Sequence, residues 1–249
     1  MLTLAVDCGG SFIKSALLDN DGTLHGQEQR RATPYPLSPE RLIEELAGIA
    51  AAHNRADRIT VGLPGMIRHG VVINTPHYVN EAGPFTRRDP DLFGAWRSFD
   101  MQTALGDRLN LPTLVWNDAD LHGAGVISGV GLEVVFTLGT GLGSALFDGG
   151  QLAPHLELSH ASVRSGVWYD HWLGEAERRR VGTPLWNRRV RQLVERWRPV
   201  FLWDRVYIGG GNSRLLTEAT RRKLGDDVTV VSNSAALYGG VRVWQLHAQ

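Results

Sequence analysis

The sequence predicts an α/β protein made of two similar halves, and three observations carry that prediction. Residues 2–30 run strand, glycine turn, strand, turn, strand, and the stretch from residue 133 repeats the order without repeating the residues. Between the two, the apolar run 111–116 stops at Asn117-Asp118 and gives way to the helix-like 119–124, a strand feeding a helix. A pattern repeated in this way marks a duplicated architecture, and 249 residues suffice for one large or two small domains.

Each element has a local reason. Residues 2–6 form an apolar strand, Asp7-Cys8-Gly9-Gly10-Ser11 a tight turn and residues 12–19 a second strand. Asn20-Asp21-Gly22 is a hairpin signal, since Asp-Gly suits the positive φ of a type I′ turn, and residues 23–30 follow as a third strand. Because the glycine turn leads into a strand, it is neither a dinucleotide fingerprint nor a Walker loop, both of which open a helix. Ser38-Pro39-Glu40 starts a helix with proline at its first position, running to residue 52. Residues 58–63 form a strand stopped by Pro64-Gly65, and 71–73 another. Residues 74–100 hold Pro76, Gly83, Pro84 and Pro90 and read mostly as loop, and loops of that length in a compact domain are usually functional. Residues 100–109 read as a short helix leading into the central strand.

In the second half, strands 133–138 and 144–147 flank the turn Gly139-Thr140-Gly141-Leu142-Gly143, and Asp148-Gly149-Gly150 turns again. Residues 169–197 are helical, with Pro184 dividing them into two helices. Residues 204–208 form a strand from which Gly209-Gly210-Gly211-Asn212-Ser213 opens a helix. A last strand covers 228–231, and a closing helix 233–244 carries Gly239-Gly240 for close packing. The expected domains are 1–112, joined by the closing helix 233–246, and 113–232.

Composition narrows the function classes. A formal net charge of zero, with 43% hydrophobic and 21% charged residues, describes an ordinary soluble protein. It argues against a general nucleic-acid or membrane-surface binder while leaving room for a local basic patch. Cys8 is the only cysteine, so there is neither an intrachain disulfide nor a cysteine zinc site. No signal peptide is seen and no apolar run approaches the ~20 residues of a membrane span, so a cytoplasmic protein is expected.

Several groups carry two readings each. Asn117-Asp118 suits a helix N-cap, and equally a carboxylate at the C-terminal end of a central strand, where open α/β sheets bind ligands and where it serves a hydroxyl as general base. The turns at Gly9, Gly10 and Ser11 and at Gly139, Thr140 and Gly141 are plain hairpins or backbone nests for an anion. Ser11 and Thr140 add hydroxyl donors, and Lys14, one of only two lysines, a point charge. Gly209, Gly210 and Gly211 suit close approach of a ligand or of another backbone. Glu157-Leu158-Ser159-His160 is a surface loop or a hydrogen-bonding set for sugar hydroxyls. The eight arginines between 178 and 198 form a solvated face balanced by Glu175, Glu177 and Glu195, or a salt-sensitive track for a polyanion.

Together the pieces resemble the ROK (Repressor, ORF, Kinase) family of sugar kinases, and within it the polyphosphate glucokinase branch. The resemblance rests on Asp7-Cys8-Gly9-Gly10-Ser11 with Lys14, Gly62-Leu63-Pro64-Gly65, Asn117-Asp118-Ala119-Asp120, Leu138-Gly139-Thr140-Gly141-Leu142-Gly143-Ser144, Glu157-Leu158-Ser159-His160, Trp186-Asn187-Arg188-Arg189-Val190 and Ile208-Gly209-Gly210-Gly211. Order and spacing match over almost the whole chain except 74–100.

The resemblance implies the actin-like, ribonuclease H-like fold, two α/β domains with a cleft between. It implies Asp118 as the general base that takes the proton from a sugar 6-hydroxyl, with Asn117, Glu157, His160 and the Gly65 loop binding the sugar. The two glycine turns hold the donor phosphates with Mg²⁺ near Asp7, and Gly209–211 lies at the adenosine side of a nucleotide. The implied donor is polyphosphate, ATP or both, the acceptor glucose or a similar hexose, and the assembly a homodimer. Phosphoryl transfer needs mainly positioning and charge neutralisation, which this division of labour supplies.

The chain departs from the family at three places. Ser159 stands where a glycine is usual, the zinc-binding cysteine cluster of many members is absent, as it is in polyphosphate glucokinases, and 74–100 has no clear match. As the sequence starts at its first strand, the N-terminal helix-turn-helix of the repressors is not expected, which counts against a DNA-binding regulator. The alternatives are an ATP-only kinase for a different sugar and a non-catalytic sugar-binding protein. Asp118 argues against the latter, because a sensor needs no base.

Overall fold

The computed structural model describes residues 1–53, 55–84, 86–232 and 235–247, residue 247 by its backbone alone. The chain forms two compact units, Met1–Gly125 with Ala236–Gln249, and Val126–Ala235.

In the first unit, Thr3–Cys8 (β1) and Phe12–Leu18 (β2) pair antiparallel with Asp7 opposite Lys14. Gln29–Ala32 (β3) pairs antiparallel with β2, Lys14 opposite Arg30. After Pro39–His53 (α1), Arg58–Leu63 (β4) lies parallel to β1. Met66–Arg68 (β5) and Val71–Asn74 (β6) lead to Pro90–Trp96 (α2) and Phe99–Asp100 (β7), and β5, β6 and β7 form a small sheet of their own. Met101–Leu109 (α3) precedes Thr113–Asn117 (β8), which lies parallel to β4, and Asp118–Ala124 (α4) follows directly. The main sheet runs β3-β2-β1-β4-β8. Strand periodicity sorts its side chains: Leu4, Val6 and Ile13 join Leu42, Leu46 and Ile49 of α1 in one core.

The second unit repeats this plan. Leu132–Leu138 (β9), Leu142–Asp148 (β10) and Gln151–Leu152 (β11) form an antiparallel meander. A 3₁₀ turn, Leu158–His160, precedes a hairpin of Ser162–Arg164 (β12) and Val167–Trp168 (β13). Three helices follow, Tyr169–Leu173 (α5), Glu175–Val181 (α6) and Thr183–Phe201 (α7). Arg205–Gly209 (β14) pairs parallel with β9, and after Glu218–Arg221 (α8), Val228–Val230 (β15) pairs parallel with β14. The order β11-β10-β9-β14-β15 matches the first sheet strand for strand. Trp186, Val190, Leu193 and Val194 of α7 cover Val134, Phe136 and Leu138 of β9.

The closing helix Ala235–His247 (α9) returns to the first unit, where Leu237 and Val241 pack on Ala5, Ala16 and Leu18, the opposite sheet face from α1. A Cβ on Gly239 would lie 1.7 Å from the Leu121 carbonyl oxygen, so only glycine allows this approach. The Thr60 hydroxyl donates to the Gly240 carbonyl at 2.7 Å and accepts from Trp244 Nε1 at 2.7 Å.

Several expectations need correction. A boundary at 112/113 falls too early, because β8 is bonded to β4 and α4 packs Leu121 against Gly62. The third strand is 29–32 rather than 23–30, with only a bridge at Leu24 before it, since 23–28 are exposed or irregular and include Gly26 at φ 98°. The Asn20-Asp21-Gly22 turn is not type I′: only Gly22 has positive φ, and the Asp19 carboxylate pins the turn by accepting from the Asp21 and Thr23 amides. Residues 74–100 contain α2, capped by Asp89 with Pro90 at its first turn. The 169–197 stretch breaks at Gly174 and Gly182, while Pro184 sits in the first turn of α7, where its missing N–H costs nothing. The glycine run 209–211 leads into a short 3₁₀ turn, Ser213–Leu215. The expected start of the closing helix at Asn233 lies outside the described residues.

Candidate active site

At the end of β8 the sequence divides two tasks between neighbours. Asn117 is the N-cap of α4: its Oδ1 accepts from the amides of Ala119 at 2.7 Å and Asp120 at 3.1 Å. Its Nδ2 donates to the Gly65 carbonyl at 2.7 Å, so one side-chain N–H remains for a ligand. Gly65 itself sits at φ 101°, and the Asn74 carbonyl oxygen, 2.3 Å from where a Cβ would be, excludes any side chain there. Asp118, the first residue of α4, is half-buried, and one carboxylate oxygen accepts from the Ala119 amide at 2.9 Å.

The turn after β1 has its carbonyls taken. The Cys8 carbonyl accepts from the Tyr78 hydroxyl, Gly9 from the Thr33 hydroxyl and Gly10 from the Tyr35 hydroxyl, each at 2.9 Å, and Ser11 from the Thr33 amide at 3.1 Å. The Gly9 amide donates to Phe12. Among the described residues the amides of Gly10 and Ser11 have no backbone partner, and with the exposed Ser11 side chain they form the donor set an anion requires. A Cβ on Gly10 would meet His77 and Pro84 at 2.9 Å, so the 74–100 stretch, through His77, Tyr78 and Pro84, buttresses the turn.

Lys14 is not a lone cation: its Nζ lies 3.0 Å from Asp7 Oδ2 with both side chains mostly buried. His122, one helical turn beyond Asp118, joins this neighbourhood. Burial pushes its imidazole down to about 4, with Asp7 opposing and Lys14 assisting. Its Nε2 has no hydrogen-bond partner among the described residues. The Cys8 thiol is raised by burial first and then by the carboxylates of Asp7 and Asp118, and the Tyr78 phenol is raised by burial and by the same two groups among others. Both carboxylates therefore bear on the same buried ground. Sequence reasoning missed His122, which faces Asp7 and Lys14 from far along the chain, and the three hydroxyls on the turn, whose contacts span 24 to 70 positions.

In the second unit the 139–141 turn, the 209–212 segment and the start of α6 come together. The Thr140 carbonyl accepts from the Glu175 amide at 3.1 Å. Asn212 Nδ2 donates to the Gly139 carbonyl at 3.1 Å and to Glu175 Oε2 at 3.0 Å. Glycines make the approach possible: a Cβ would lie 1.7 Å from Asp170 Oδ1 at Gly141, 2.5 Å from the Thr140 carbonyl at Gly174, and 2.5 Å from Leu138 at Gly210, which is at φ 81°. Asp170 holds the far side of the turn by accepting from the Leu142 amide at 3.1 Å. Gly139 and Gly211 face open space, and Gly209 ends β14. Asp170 and Asn212 were not among the sequence candidates, although an asparagine directly after a glycine run was a visible cue for the second.

Glu157 is held from both sides. The Ser159 hydroxyl donates to its Oε1 at 2.7 Å, and His155 Nε2 lies 3.6 Å from its Oε2. Burial works against its charge, but the His155 and Ser159 contacts and the nearby His160 outweigh it and hold the carboxyl below its usual range. His160 is exposed, its ring 5.8 Å from that of Trp168. His155 was missed, though the His-x-Glu spacing was in plain view.

The arginine run is largely satisfied internally. Arg178 and Arg179 pair with Glu175, Arg180 and Arg189 with Glu177, Arg191 with Glu195 and Arg198 with Asp227. Arg196 lies over the Trp172 ring. This favours a paired, solvated face over a track for a polyanion. Among the described residues no group of three or more His, Cys, Asp or Glu is placed to hold a metal ion, and no helix is long and apolar enough to cross a membrane.

Residues 3–154 match the ROK family. Polyphosphate glucokinase of Mycobacterium tuberculosis (strain CDC 1551 / Oshkosh) is 28% identical over 219 residues, 84% of this chain and 77% of that protein. N-acetylmannosamine kinase of Escherichia coli (strain SE11) is 31% identical over 161 residues, 61% of this chain and 49% of that protein. The crystal structure of inorganic polyphosphate/ATP-glucomannokinase from Arthrobacter sp. strain KM superposes with a TM-score of 0.80 at 26% identity, covering 98% of this chain and 99% of that one. The shared architecture is the actin-like ATPase fold of ROK sugar kinases. With the family match spanning more than half of its length and the glycine turns and the Asn117-Asp118 strand end in place, the chain belongs to the ROK family.

Proposed function

We propose that this chain is a hexokinase-type phosphotransferase, moving a phosphoryl group from polyphosphate or ATP to the 6-hydroxyl of glucose or a similar hexose with Asp118 as general base. The observation that carries the reading is the division of labour at the end of β8. Asn117 supplies the helix cap, so Asp118 is not needed for it, and its carboxylate sits half-buried at the strand end. A carboxylate in such a place takes the proton from a hydroxyl as that oxygen attacks phosphorus.

The residues proposed for sugar binding are Asn117 and the Gly65 loop in the first unit, and Glu157 and His160 in the second. Glu157 stays ionised in its buried setting and accepts from sugar hydroxyls. Each unit has its own turn proposed for phosphate, Gly10 and Ser11 in the first and Gly139, Thr140 and Gly141 in the second, and Gly209, Gly210 and Gly211 of the second are proposed for the adenosine side when ATP is the donor. Mg²⁺, carried in on the phosphates and their waters, would neutralise their charge, and Asp7 is the carboxylate of this chain that would stand nearest it.

A second reading, an ATP-only kinase for a different sugar, is favoured by the Ser159 hydroxyl on Glu157, which takes one position on the oxygen pair that would otherwise meet the sugar. A coupled phosphorylation assay over a panel of hexoses with Mg²⁺ and either donor decides between them. Glucose turnover with polyphosphate, ATP or both is expected. Turnover of another sugar with ATP alone supports the second reading, and no turnover with any hexose and either donor contradicts both.

A further inference from the structure

The 9–11 turn is followed by a second cation. Lys14 and Arg30 are cross-strand partners on β2 and β3, so their side chains share one face of the sheet, and Phe12 lies on that face two residues nearer the turn. The Arg30 guanidinium does not stay at the Lys14 level. It lies 3.6 Å from the centre of the Phe12 ring, which places it beside the first residue after Ser11. Phe12 is 41% exposed and Arg30 is exposed as well.

This cation differs from those of the 178–198 run. There, six arginines already meet carboxylates, whereas Arg30 pairs with no carboxylate among the described residues. A guanidinium stacked on a ring has its plane fixed and its N–H edge left for a ligand. Lys14, by contrast, is paired with Asp7. The face leading off the turn thus offers a fixed, uncompensated fork of donors at short range from the amides of Gly10 and Ser11.

We propose that Arg30, stacked on Phe12, is an anchoring residue for a linear polyphosphate donor whose reacting end lies on the 9–11 turn. The proposal rests on the reading of that turn as a phosphate site. A donor that continues as a chain of phosphates has an anionic group to place against Arg30, and the bidentate geometry of guanidinium and phosphate suits the contact. A nucleotide donor, whose phosphates end in a nucleoside, gains less from it.

The test compares Arg30→Gln, Phe12→Leu and Arg31→Gln in the full chain. Arg31 is the internal control: it lies opposite the buried Ile13, on the other face, near enough to His53 to add to the lowering that burial already imposes on that imidazole. Arg30→Gln should raise KM for polyphosphate about tenfold, the order of one lost charge-assisted contact, and weaken its salt dependence. KM for ATP and for the sugar should change less than about twofold against that tenfold scale. Phe12→Leu should move in the same direction, and Arg31→Gln should match the parent. Equal polyphosphate KM in parent and Arg30→Gln, or turnover with ATP and none with polyphosphate, overturns the proposal. Titration calorimetry with a short polyphosphate of defined length keeps this separate from the kinase reading. If the parent transfers from no donor yet binds polyphosphate more tightly than Arg30→Gln, the anchor stands and the kinase reading fails. If the two bind alike or not at all, the anchor fails.

Discussion

Asn117 ties the Gly65 carbonyl to the start of α4 with one amide group, donating from Nδ2 at 2.7 Å while Oδ1 caps the helix that begins with Asp118. One side chain therefore fixes two loops that the proposed sugar site shares. Asn117→Asp keeps the cap, since aspartate caps as well as asparagine, but sets an acceptor against a carbonyl. Stability should fall by ~1–3 kcal/mol, and sugar KM should rise while donor KM holds. Asn117→Ala should lose a further ~1 kcal/mol with the cap. Urea melts and initial rates read both, and an unchanged sugar KM in Asn117→Asp would detach the Gly65 loop from sugar binding.

Neighbouring glycines should respond differently. Gly210 is at φ 81° with Leu138 backbone atoms 2.5 Å from a Cβ position, while Gly211 faces open space. Gly210→Ala should destabilise by more than ~1 kcal/mol, and Gly211→Ala should stay within ~0.5 kcal/mol of the parent. Equal effects in denaturation would mean that the close approach of β14 to β9 does not depend on Gly210.

His122 should make the fold acid-sensitive at mild pH. Its imidazole is held down to about 4 by burial, with Asp7 and Lys14 facing it, so the folded chain resists a proton that the unfolded chain accepts near 6.5. That contribution is whole above pH ~6.5 and is lost progressively as pH falls towards 4, by a total of ~3 kcal/mol. Glu175 and Glu177, held to about 2 chiefly by hydrogen bonds from Arg178 and Arg180, lose their contributions only below the ordinary carboxylate range. His122→Leu should flatten the stability profile between pH 6.5 and 4.5 relative to the parent, the window in which imidazoles and not carboxylates titrate. Parallel profiles would leave His122 with no part in the acid sensitivity.

Local patterns made much of this fold legible. The apolar runs of β1, β4 and β8, the Ser38-Pro39 start of α1 and the twin meanders were all visible because burial on both faces or at period two writes itself into consecutive residues. The same cap-plus-proline signature stood at Asp89-Pro90 and marked α2, but the surrounding prolines and glycines masked it. The helical stretch after residue 169 broke at glycines and not at Pro184, since proline is tolerated in a first turn. In the site, residues with local duties could be named from sequence. Tyr35, Tyr78 and Asp170 could not, because they act on the turns through contacts that only the folded chain creates.

Asp118→Asn is the sharpest probe of the general base, assayed with the best hexose and donor and titrated with the sugar alone. Transfer should fall by about 10²–10⁴-fold or more with sugar affinity kept, because the amide cannot take the proton and Asn117 still caps α4. A variant that transfers phosphate as fast as the parent would contradict the assignment of Asp118 as the base.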